Sequence, residues 1–366
     1  MGNLRGRAHY FKYLKLLIFR SFLALFLIGG TAHADSGPAH SSILRKITQK
    51  ARPFYMNQCT GGTFAGAAGV PIAYRYCMRP GSTRAVVLVN GFASSMALQA
   101  ELIFDLYQAG FSVFSLDHRG QGSSGRLTLK DRQATTSDSL FTNMVDLHHY
   151  VKKIVRPVAG NRSLVAIGDS MGGAVLSLLL EIKPHLFDRA VLTAPMIQVR
   201  PPRVLSRLSE DTFLEFARMQ IGTGHGDDYM GNKFNWILHD AGPYYRREFK
   251  AESKYTHGYE RWVAKSQLLE KFPHLQMGGP TYHWVESAIL ATRFARKNAS
   301  AIQIPLQIIA ADDDRLTDRT ALPAFCAAAK DCRLDVITGS RHALWSESDH
   351  YRDQVLQLTV DFLKTR

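Results

Sequence analysis

The chain has 366 residues, 46% of them hydrophobic, with 45 Lys and Arg residues against 31 Asp and Glu residues. This amount of apolar material excludes an intrinsically disordered chain, and the lack of uninterrupted apolar runs of about 18 residues excludes a polytopic membrane protein. The net charge of +14 would suit nucleic acid, but no recognition-helix, RNA-binding or zinc-finger pattern is present, so no nucleic-acid partner is predicted.

Residues 1–34 have the pattern of a secretory signal peptide. Basic residues come first, an apolar segment follows at 21–30, and the Ala-His-Ala of 32–34 supplies the small residues that signal peptidase accepts. Arg20 interrupts the apolar run, which argues against the alternative of an uncleaved membrane anchor. We therefore predict an exported protein, either in the bacterial periplasm or secreted, whose mature chain begins at Asp35.

The basic character persists after the leader is removed. Residues 1–34 carry five basic and no acidic residues, so the mature chain has 40 basic against 31 acidic residues and a charge of +9. This excess favours transient contact with an anionic membrane surface. A solvated basic surface with no specific partner explains it equally well.

Downstream of the leader, predicted strands and helices alternate. Period-two patterns or continuous apolar runs indicate the strands, and apolar residues at helical spacing indicate the helices. Strands are predicted at 63–68, 72–77, 85–89, 111–116, 163–167, 190–194, 305–310 and 334–338, and helices at 41–52, 96–109, 141–155, 171–181, 208–219, 259–272 and 351–364. This alternation predicts an α/β fold in which a mostly parallel eight-stranded sheet carries helices on both faces.

The alternation stops in residues 196–300, a stretch rich in Arg, Lys, Tyr, Trp and Gly. We interpret it as a helical cap, or lid, inserted after strand six, over the carboxyl edge of the sheet where α/β proteins bind ligands. The chain then consists of a signal peptide at 1–34, a first core part at 35–195, the cap at 196–300 and a second core part at 301–366.

All four cysteines lie in the mature part of the chain. An even number of cysteines in an exported protein indicates disulfides. Of the three possible connectivities, adjacent pairing is the simplest, and it joins Cys59 to Cys77 and Cys326 to Cys332. Free thiols and a zinc site are the alternatives, but no Cys-x-x-Cys or paired-His spacing supports a metal.

The pentapeptide Gly-Asp-Ser-Met-Gly at 168–172 is the motif with the clearest chemistry. It lies between a predicted buried strand and an apolar helix, which is the setting of a nucleophile elbow. Small residues flank the nucleophile in such a turn because bulky side chains would clash with the strained backbone. We therefore predict Ser170 as the nucleophile, against the alternative of a tight turn with a capping serine.

A serine nucleophile needs a base and an acid that orients the base. In α/β folds that carry a nucleophile elbow, the three residues follow along the chain in the order Ser, acid, His. Two histidines follow the seventh strand. His342 is predicted in a loop four residues after the last strand and is assigned as the general base, whereas His350 begins the final helix. For the acid we choose Asp314 in the loop after the seventh strand. Asp313 and Asp312 are the next candidates, and Asp318 is a fourth.

The tetrahedral intermediate of acyl transfer needs two backbone N–H donors. The residue after the nucleophile, Met171, supplies one of them in this fold. The second comes from the loop after the strand at 85–89, and Phe92 is the predicted donor. Gly91 suits that loop because the backbone must come close to the substrate there.

Four further segments resemble the lysophospholipase and monoglyceride-lipase branch of the α/β-hydrolases. Leu-Asp-His-Arg-Gly-Gln-Gly-Ser-Ser-Gly at 116–125 is similar to a core segment of that branch, and Leu-Thr-Ala-Pro-Met at 192–196 to the entry into its cap. Residues 278–284 resemble the exit from the cap of that branch. The His, Glu, Asp and Arg residues spaced over 342–352 resemble the C-terminal segment that follows the catalytic histidine in that branch. The resemblance implies the α/β-hydrolase fold and a lysophospholipid or monoacylglycerol substrate.

The predicted function is a serine ester hydrolase that acts through an acyl-enzyme, with a lipid ester as its partner and with no cofactor or metal. Aromatic and apolar residues of the cap suit an acyl chain or form cap core: Phe213, Leu214, Phe216, Trp236, Trp262 and Trp284. A transacylase, or a hydrolase of short esters or peptides, is the alternative on the same scaffold. A non-catalytic exported binding protein is a more remote alternative. The chain departs from many relatives at Asn90-Gly91, where they have His-Gly.

Overall fold

The computed structural model describes residues 38–128, 131–134, 139–201, 208–230, 249–250 and 252–365. The predicted signal peptide at 1–34 lies outside the described residues. One compact unit spans residues 43–366, and the other spans residues 1–42. The strands of the first unit are β1 (Thr60–Ala65), β2 (Pro71–Cys77), β3 (Arg84–Val89), β4 (Ser112–Leu116), β5 (Ser163–Asp169), β6 (Arg189–Thr193), β7 (Leu306–Asp313) and β8 (Cys332–Arg341).

These eight strands form one sheet in the order β1-β2-β4-β3-β5-β6-β7-β8. Strand β2 pairs antiparallel with β1 and β4, and all other neighbours pair in parallel. The predicted mostly parallel eight-stranded sheet is therefore confirmed. The carboxyl ends of β3, β5, β6, β7 and β8 lie along one edge, which is where open α/β sheets bind ligands.

The helices of the described residues connect these strands. They are α1 (Pro38–Arg45), α2 (Arg52–Asn57), α3 (Ala100–Gln108), α4 (Leu140–Tyr150), α5 (Arg156–Ala159), α6 (Met171–Ile182), α7 (Glu210–Gln220), α8 (Tyr259–Lys271), α9 (Tyr282–Asn298), α10 (Leu322–Ala328) and α11 (Asp349–Lys364). Segments of π-helix lie at Lys46–Ala51, Val151–Val155 and Ile221–His225. Within the described residues, no helix has both the length and the apolar character that crossing a membrane requires.

Both faces of the sheet are buried, which explains the continuous apolar runs of its central strands. Side chains alternate across a strand. In β3, Val87 and Val89 join one core cluster, whereas Val86 and Leu88 join the other. The first cluster contains residues of α4, α6 and α9, and the second contains residues of α3 and α11. Helices therefore cover both faces, as predicted.

Three helices, α7, α8 and α9, lie between β6 and β7, in the interval assigned to the cap. Helix α9 was not among the predicted elements, although it is the longest helix described. Its Val285, Ala288 and Ile289 are buried in the same core cluster as α6, and α7 packs on it through Phe213 and Leu214. The boundaries 196 and 300 of the cap remain a prediction.

Two disulfides are present, and they are the predicted adjacent pairs. Cys59 precedes β1 and bonds to Cys77, the last residue of β2, so this bond closes the open end of the antiparallel pair. Cys326 of α10 bonds to Cys332, the first residue of β8. Both bonds link neighbouring segments of secondary structure, and the described residues contain no free cysteine.

Candidate active site

Ser170 occupies a sharp turn between β5 and α6. Its φ of 52° and ψ of −115° lie in a region that side-chain-bearing residues seldom adopt, and such strain clusters at functional sites. Two glycines make the turn possible. A Cβ on Gly172 would overlap the carbonyl oxygen of Val89, and one on Gly173 would lie 2.6 Å from Pro195. The sequence pattern around Ser170 therefore reflects real steric limits.

The structure brings Ser170, His342 and Asp314 together in one hydrogen-bonded chain. The Oγ of Ser170 lies 2.9 Å from His342 Nε2, and His342 Nδ1 lies 2.8 Å from Asp314 Oδ2. The histidine and the aspartate are both buried. One predicted detail is wrong: β8 extends to Arg341, so His342 follows the strand directly and does not lie in a loop four residues beyond it.

The carboxylate of Asp314 is fixed by the turn that follows it. Its Oδ1 accepts hydrogen bonds from the N–H groups of Leu316 at 2.8 Å and Thr317 at 3.0 Å, and its Oδ2 accepts one from the Thr317 hydroxyl at 2.7 Å. Sequence reasoning missed Thr317, and no local signal points to it. The turn therefore orients the acid toward His342 before any substrate binds.

Burial and charge act in opposite directions on the pKa values of this pair. Burial alone would raise the pKa of Asp314, but the charge and hydrogen bond of His342, together with the N–H groups of Thr317 and Leu316, outweigh it, and the pKa lies below its ordinary value. Burial alone would lower the pKa of His342, but the charge and hydrogen bond of Asp314, together with the charge of Asp169, raise it. Each group thus stabilises the charged form of the other.

The other candidates named from sequence lie elsewhere. His350 is exposed near the start of α11. The remaining acids of the loop have other partners: Asp312 accepts from the Gly339 N–H at 3.1 Å, Asp313 from Arg315 Nε at 2.8 Å, and Asp318 from Gln198 Nε2 at 2.9 Å. Among the described residues, no group of His, Cys, Asp and Glu is arranged to hold a metal ion.

The loop after β3, which contains Phe92, lies directly beside Ser170. A Cβ on Gly91 would be 3.3 Å from the Cβ of Ser170 and 3.2 Å from Asp169 Oδ2, so a side chain here would require these neighbours to move by a few tenths of an ångström. Met171 begins α6, and the N–H of a first helical residue has no acceptor within its helix. The two predicted donor residues therefore lie on the two segments that flank Ser170.

Two buried side chains of the 116–125 segment hold this loop in place. His118 Nε2 donates to the carbonyl of Asn90 at 2.9 Å, and Gln121 Oε1 accepts from the N–H of Ala93 at 2.7 Å. Burial lowers the pKa of His118 to about 4, so its imidazole is neutral and keeps this donor role. Sequence reasoning saw the segment only as a family resemblance, because its contacts are made across the sheet edge.

Asp169 is a second acid at the site that sequence reasoning did not assign. Its Oδ1 accepts a hydrogen bond from Thr193 Oγ1 at 3.0 Å. Burial, together with the charge of Asp314, raises its pKa, and the charges of His342 and Lys265 act in the opposite direction. The pentapeptide shows that Asp169 directly precedes Ser170, but only the fold brings Asp169 near Lys265.

Comparison with known proteins assigns the chain to a family. The family Hydrolase_4, described as Serine aminopeptidase, S33, matches residues 81–349. The chain belongs to this family. Lysophospholipase L2 of Escherichia coli (strain K12) is 30% identical to it over 308 residues, which cover 82% of this chain and 86% of that protein.

Solved structures support the same fold assignment. A soluble variant of monoglyceride lipase from Saccharomyces cerevisiae superposes with a TM-score of 0.62 and 18% identity, covering 83% of this hydrolase and 94% of that chain. A carboxyl esterase from Bacillus coagulans gives a TM-score of 0.65 and 16% identity, over 83% and 97% of the two chains. At such identities they show the fold alone, and the predicted α/β-hydrolase fold is confirmed.

The cap residues named for an acyl chain divide into two groups in this hydrolase. Phe213, Leu214 and Trp284 are buried in the main core cluster, so their surface is already used in packing. The ring of Trp284 meets Phe92 edge-on at a centroid distance of 4.6 Å, which connects the cap to the loop beside Ser170. Phe216 and Trp262 are half-buried, and Trp236 lies outside the described residues.

Proposed function

We propose that the protein is a serine hydrolase that cleaves the acyl ester of lysophospholipids or monoacylglycerols. The observation that carries this proposal is the unbroken hydrogen-bond chain from Ser170 through His342 to Asp314. The likeness to Lysophospholipase L2 and to the monoglyceride lipase fold supports the lipid ester as the substrate class.

In the proposed acylation step, Ser170 Oγ attacks the ester carbonyl carbon while His342 Nε2 accepts the hydroxyl proton. The carbonyl oxygen becomes an oxyanion that accepts hydrogen bonds from the N–H groups of Phe92 and Met171. When the intermediate collapses, the bond to the glycerol oxygen breaks, and His342 returns its proton to that oxygen. The products are an acyl-enzyme and the free alcohol.

Deacylation follows the same route in reverse. A water molecule takes the place of the alcohol, His342 removes its proton, and the resulting hydroxide attacks the acyl carbonyl carbon. The proton then passes to Ser170 Oγ as the fatty acid leaves. In both steps His342 becomes an imidazolium, and Asp314 stabilises it through the 2.8 Å contact with Nδ1.

We further propose that the protein acts outside the cytoplasm and that residues 1–34 are removed. The leader pattern supports export, and the two disulfides are of the kind that oxidising compartments allow to form. The charge of +9 on the remaining chain supports contact with an anionic membrane surface, where such lipids lie. N-terminal sequencing of the protein recovered from its host tests this, and a chain that retains residues 1–34 contradicts it.

The activity is tested by measuring fatty-acid release from a lysophospholipid and from a monoacylglycerol with the purified protein. We expect Ser170→Ala and His342→Ala each to lower kcat by about 10⁴-fold or more, because nucleophile and base act as a unit. The matched control is His350→Ala, which alters the other histidine of the same chain region at an exposed position and should leave kcat unchanged.

Each outcome of this assay is informative. Release from either lipid that Ser170→Ala abolishes supports the hydrolase proposal, and the preferred lipid gives the substrate. If the folded wild-type protein releases fatty acid from neither lipid, the lipid proposal is wrong, and short esters and peptides become the substrates to test. If Ser170→Ala retains full activity, the proposed nucleophile is wrong.

A further inference from the structure

A cleft borders the site on the side of α3 and α8. Its lining includes Arg52, Ser94, Gln99, Lys265, Trp345 and Ser346, and we call it the basic cleft. Two connections place it beside the nucleophile. Trp345 Nε1 donates to Thr193 Oγ1 at 3.0 Å, and Thr193 Oγ1 in turn donates to Asp169, the residue before Ser170.

The loop beside the nucleophile also reaches the basic cleft. Ser94 lies two residues after Phe92, and Ser346 lies four residues after His342. The segments proposed to supply an oxyanion donor and the base therefore continue into the walls of the cleft. The cleft is therefore built in part from the two segments that flank Ser170.

The charges around the cleft are unevenly balanced. Its acidic lining residue, Glu101, is already bound by Arg261, through hydrogen bonds of 2.8 and 2.9 Å. Arg52 is half-buried and donates from Nη2 to the carbonyl of Ala264, and no carboxylate among the described residues forms an ion pair with it. Burial lowers the pKa of Arg52, as expected where no acid compensates the desolvation.

Lys265 adds a second positive charge to the lining. It is exposed, and its charge acts on Asp169, the residue before Ser170. The lining thus offers a guanidinium, an ammonium, two serine hydroxyls and an amide, which are donors that suit a phosphate group. A monoacylglycerol offers no anionic group to this cleft, whereas a lysophospholipid carries a phosphodiester one glycerol unit away from its ester.

We propose that the basic cleft binds the phosphodiester of a lysophospholipid while the ester lies at Ser170, so that Arg52 and Lys265 select lysophospholipids over neutral monoacylglycerols. This inference rests on the function proposed above. It gives the two cations a role in recognition that the chemical step itself does not need.

The test compares lysophosphatidylglycerol with a monoacylglycerol of the same chain length, both in neutral detergent micelles, using the full-length protein. Arg52→Gln should lower kcat/KM for lysophosphatidylglycerol about ten-fold, mainly through KM, and change that for the monoacylglycerol by less than about two-fold. Arg52→Lys keeps the charge and should recover most of the preference. Lys265→Gln should act in the same direction, and Lys271→Gln, at the end of the same helix, is the matched control.

Three results would overturn the proposal. An equal loss on both lipids would mean that Arg52 acts only through its bond to Ala264. An unchanged ratio would mean that the cleft does not bind the head group. Inhibition by inorganic phosphate that depends on Arg52, with an unchanged lipid ratio, would mean a site for free anions.

Failure of the underlying function is distinguishable from failure of the cleft. If the wild-type protein hydrolyses neither lipid, the binding of lysophosphatidylglycerol to the Ser170→Ala protein is titrated with and without Arg52→Gln. Weaker binding in the double variant supports the cleft as a phosphodiester site, and equal binding overturns it.

Discussion

Glu347 connects the histidine-bearing segment to the cap, and its removal should be costly. The carboxylate is fully buried. Its Oε1 accepts from the N–H of Arg341 at 2.7 Å and lies 3.0 Å from His257 Nδ1, and its Oε2 accepts from the N–H of His257 at 2.8 Å. One side chain therefore fixes both the residue before His342 and the chain that leads into α8.

The magnitude follows from these contacts. Glu347→Ala leaves three backbone donors, the N–H groups of Arg341, His257 and Ser348, and one imidazole without their acceptor. Breaking a buried charged contact of this kind costs about 3–5 kcal/mol of the free energy of unfolding. Glu347→Gln keeps one oxygen that can accept a hydrogen bond, but its amide NH₂ then faces one of the donors that the carboxylate had bound. We therefore expect about half that loss in the free energy of unfolding. A shift of His342 by about 1 Å would also lower kcat/KM about 10²-fold.

Urea denaturation of the purified variants measures the stability change, and fatty-acid release measures the second effect. Asp353→Ala is the matched control, because it removes an exposed acid from α11 and should stay within about 0.5 kcal/mol of the wild type. A loss below about 1 kcal/mol in Glu347→Ala, with kcat/KM retained, would refute the reasoning that this carboxylate holds the segment in place.

Three further predictions concern the site and the disulfides. In the proposed mechanism neutral His342 is the base, and its pKa is raised, so kcat/KM should rise with pH through a value above about 6.5. Asp314→Asn removes the acid that raises this pKa, so the pH profile should move to lower pH while kcat falls about 10⁴-fold; an unmoved profile contradicts this. Gly172→Ala forces a methyl group against the main chain of β3 and should cost at least about 1–3 kcal/mol in thermal or urea unfolding, which a wild-type unfolding curve would disprove. Replacing Cys59 and Cys77 together with Ser should cost about 3 kcal/mol, because the bond closes a loop with a sequence separation of 18, and unchanged sensitivity to urea would argue against it.

The sequence predicted the sheet well because each of its signals is local. The run at 85–89 is apolar throughout, and β3 is buried on both faces, so burial and pattern have the same cause. Helix α9 was missed because it lies in a stretch whose composition breaks the β/α alternation, and its apolar residues pack on α6 and α7, which come much earlier in the chain.

The choice among the four aspartates depends on contacts between distant segments, which local sequence signals do not report. Four aspartates lie within 312–318, and the sequence favours Asp314 only through a family-like spacing. The structure separates them by partners that are distant in the chain, since Asp318 meets Gln198 and Asp312 meets Gly339, while Asp314 faces His342. Such distances depend on how β7 and β8 are paired, which no single segment encodes.

The sequence by itself determined the strands and the tight turn at Ser170, though not helix α9, because steric limits and burial on both faces act on neighbouring residues. Gly168 is an example, since a Cβ there would meet the backbone of Gly172 and Gly173 in the same turn. Only the tertiary structure decided which charges meet. Arg52, Asp169, Lys265 and Glu347 come from four separate segments, and their electrostatic environment exists only after the sheet edge brings those segments together.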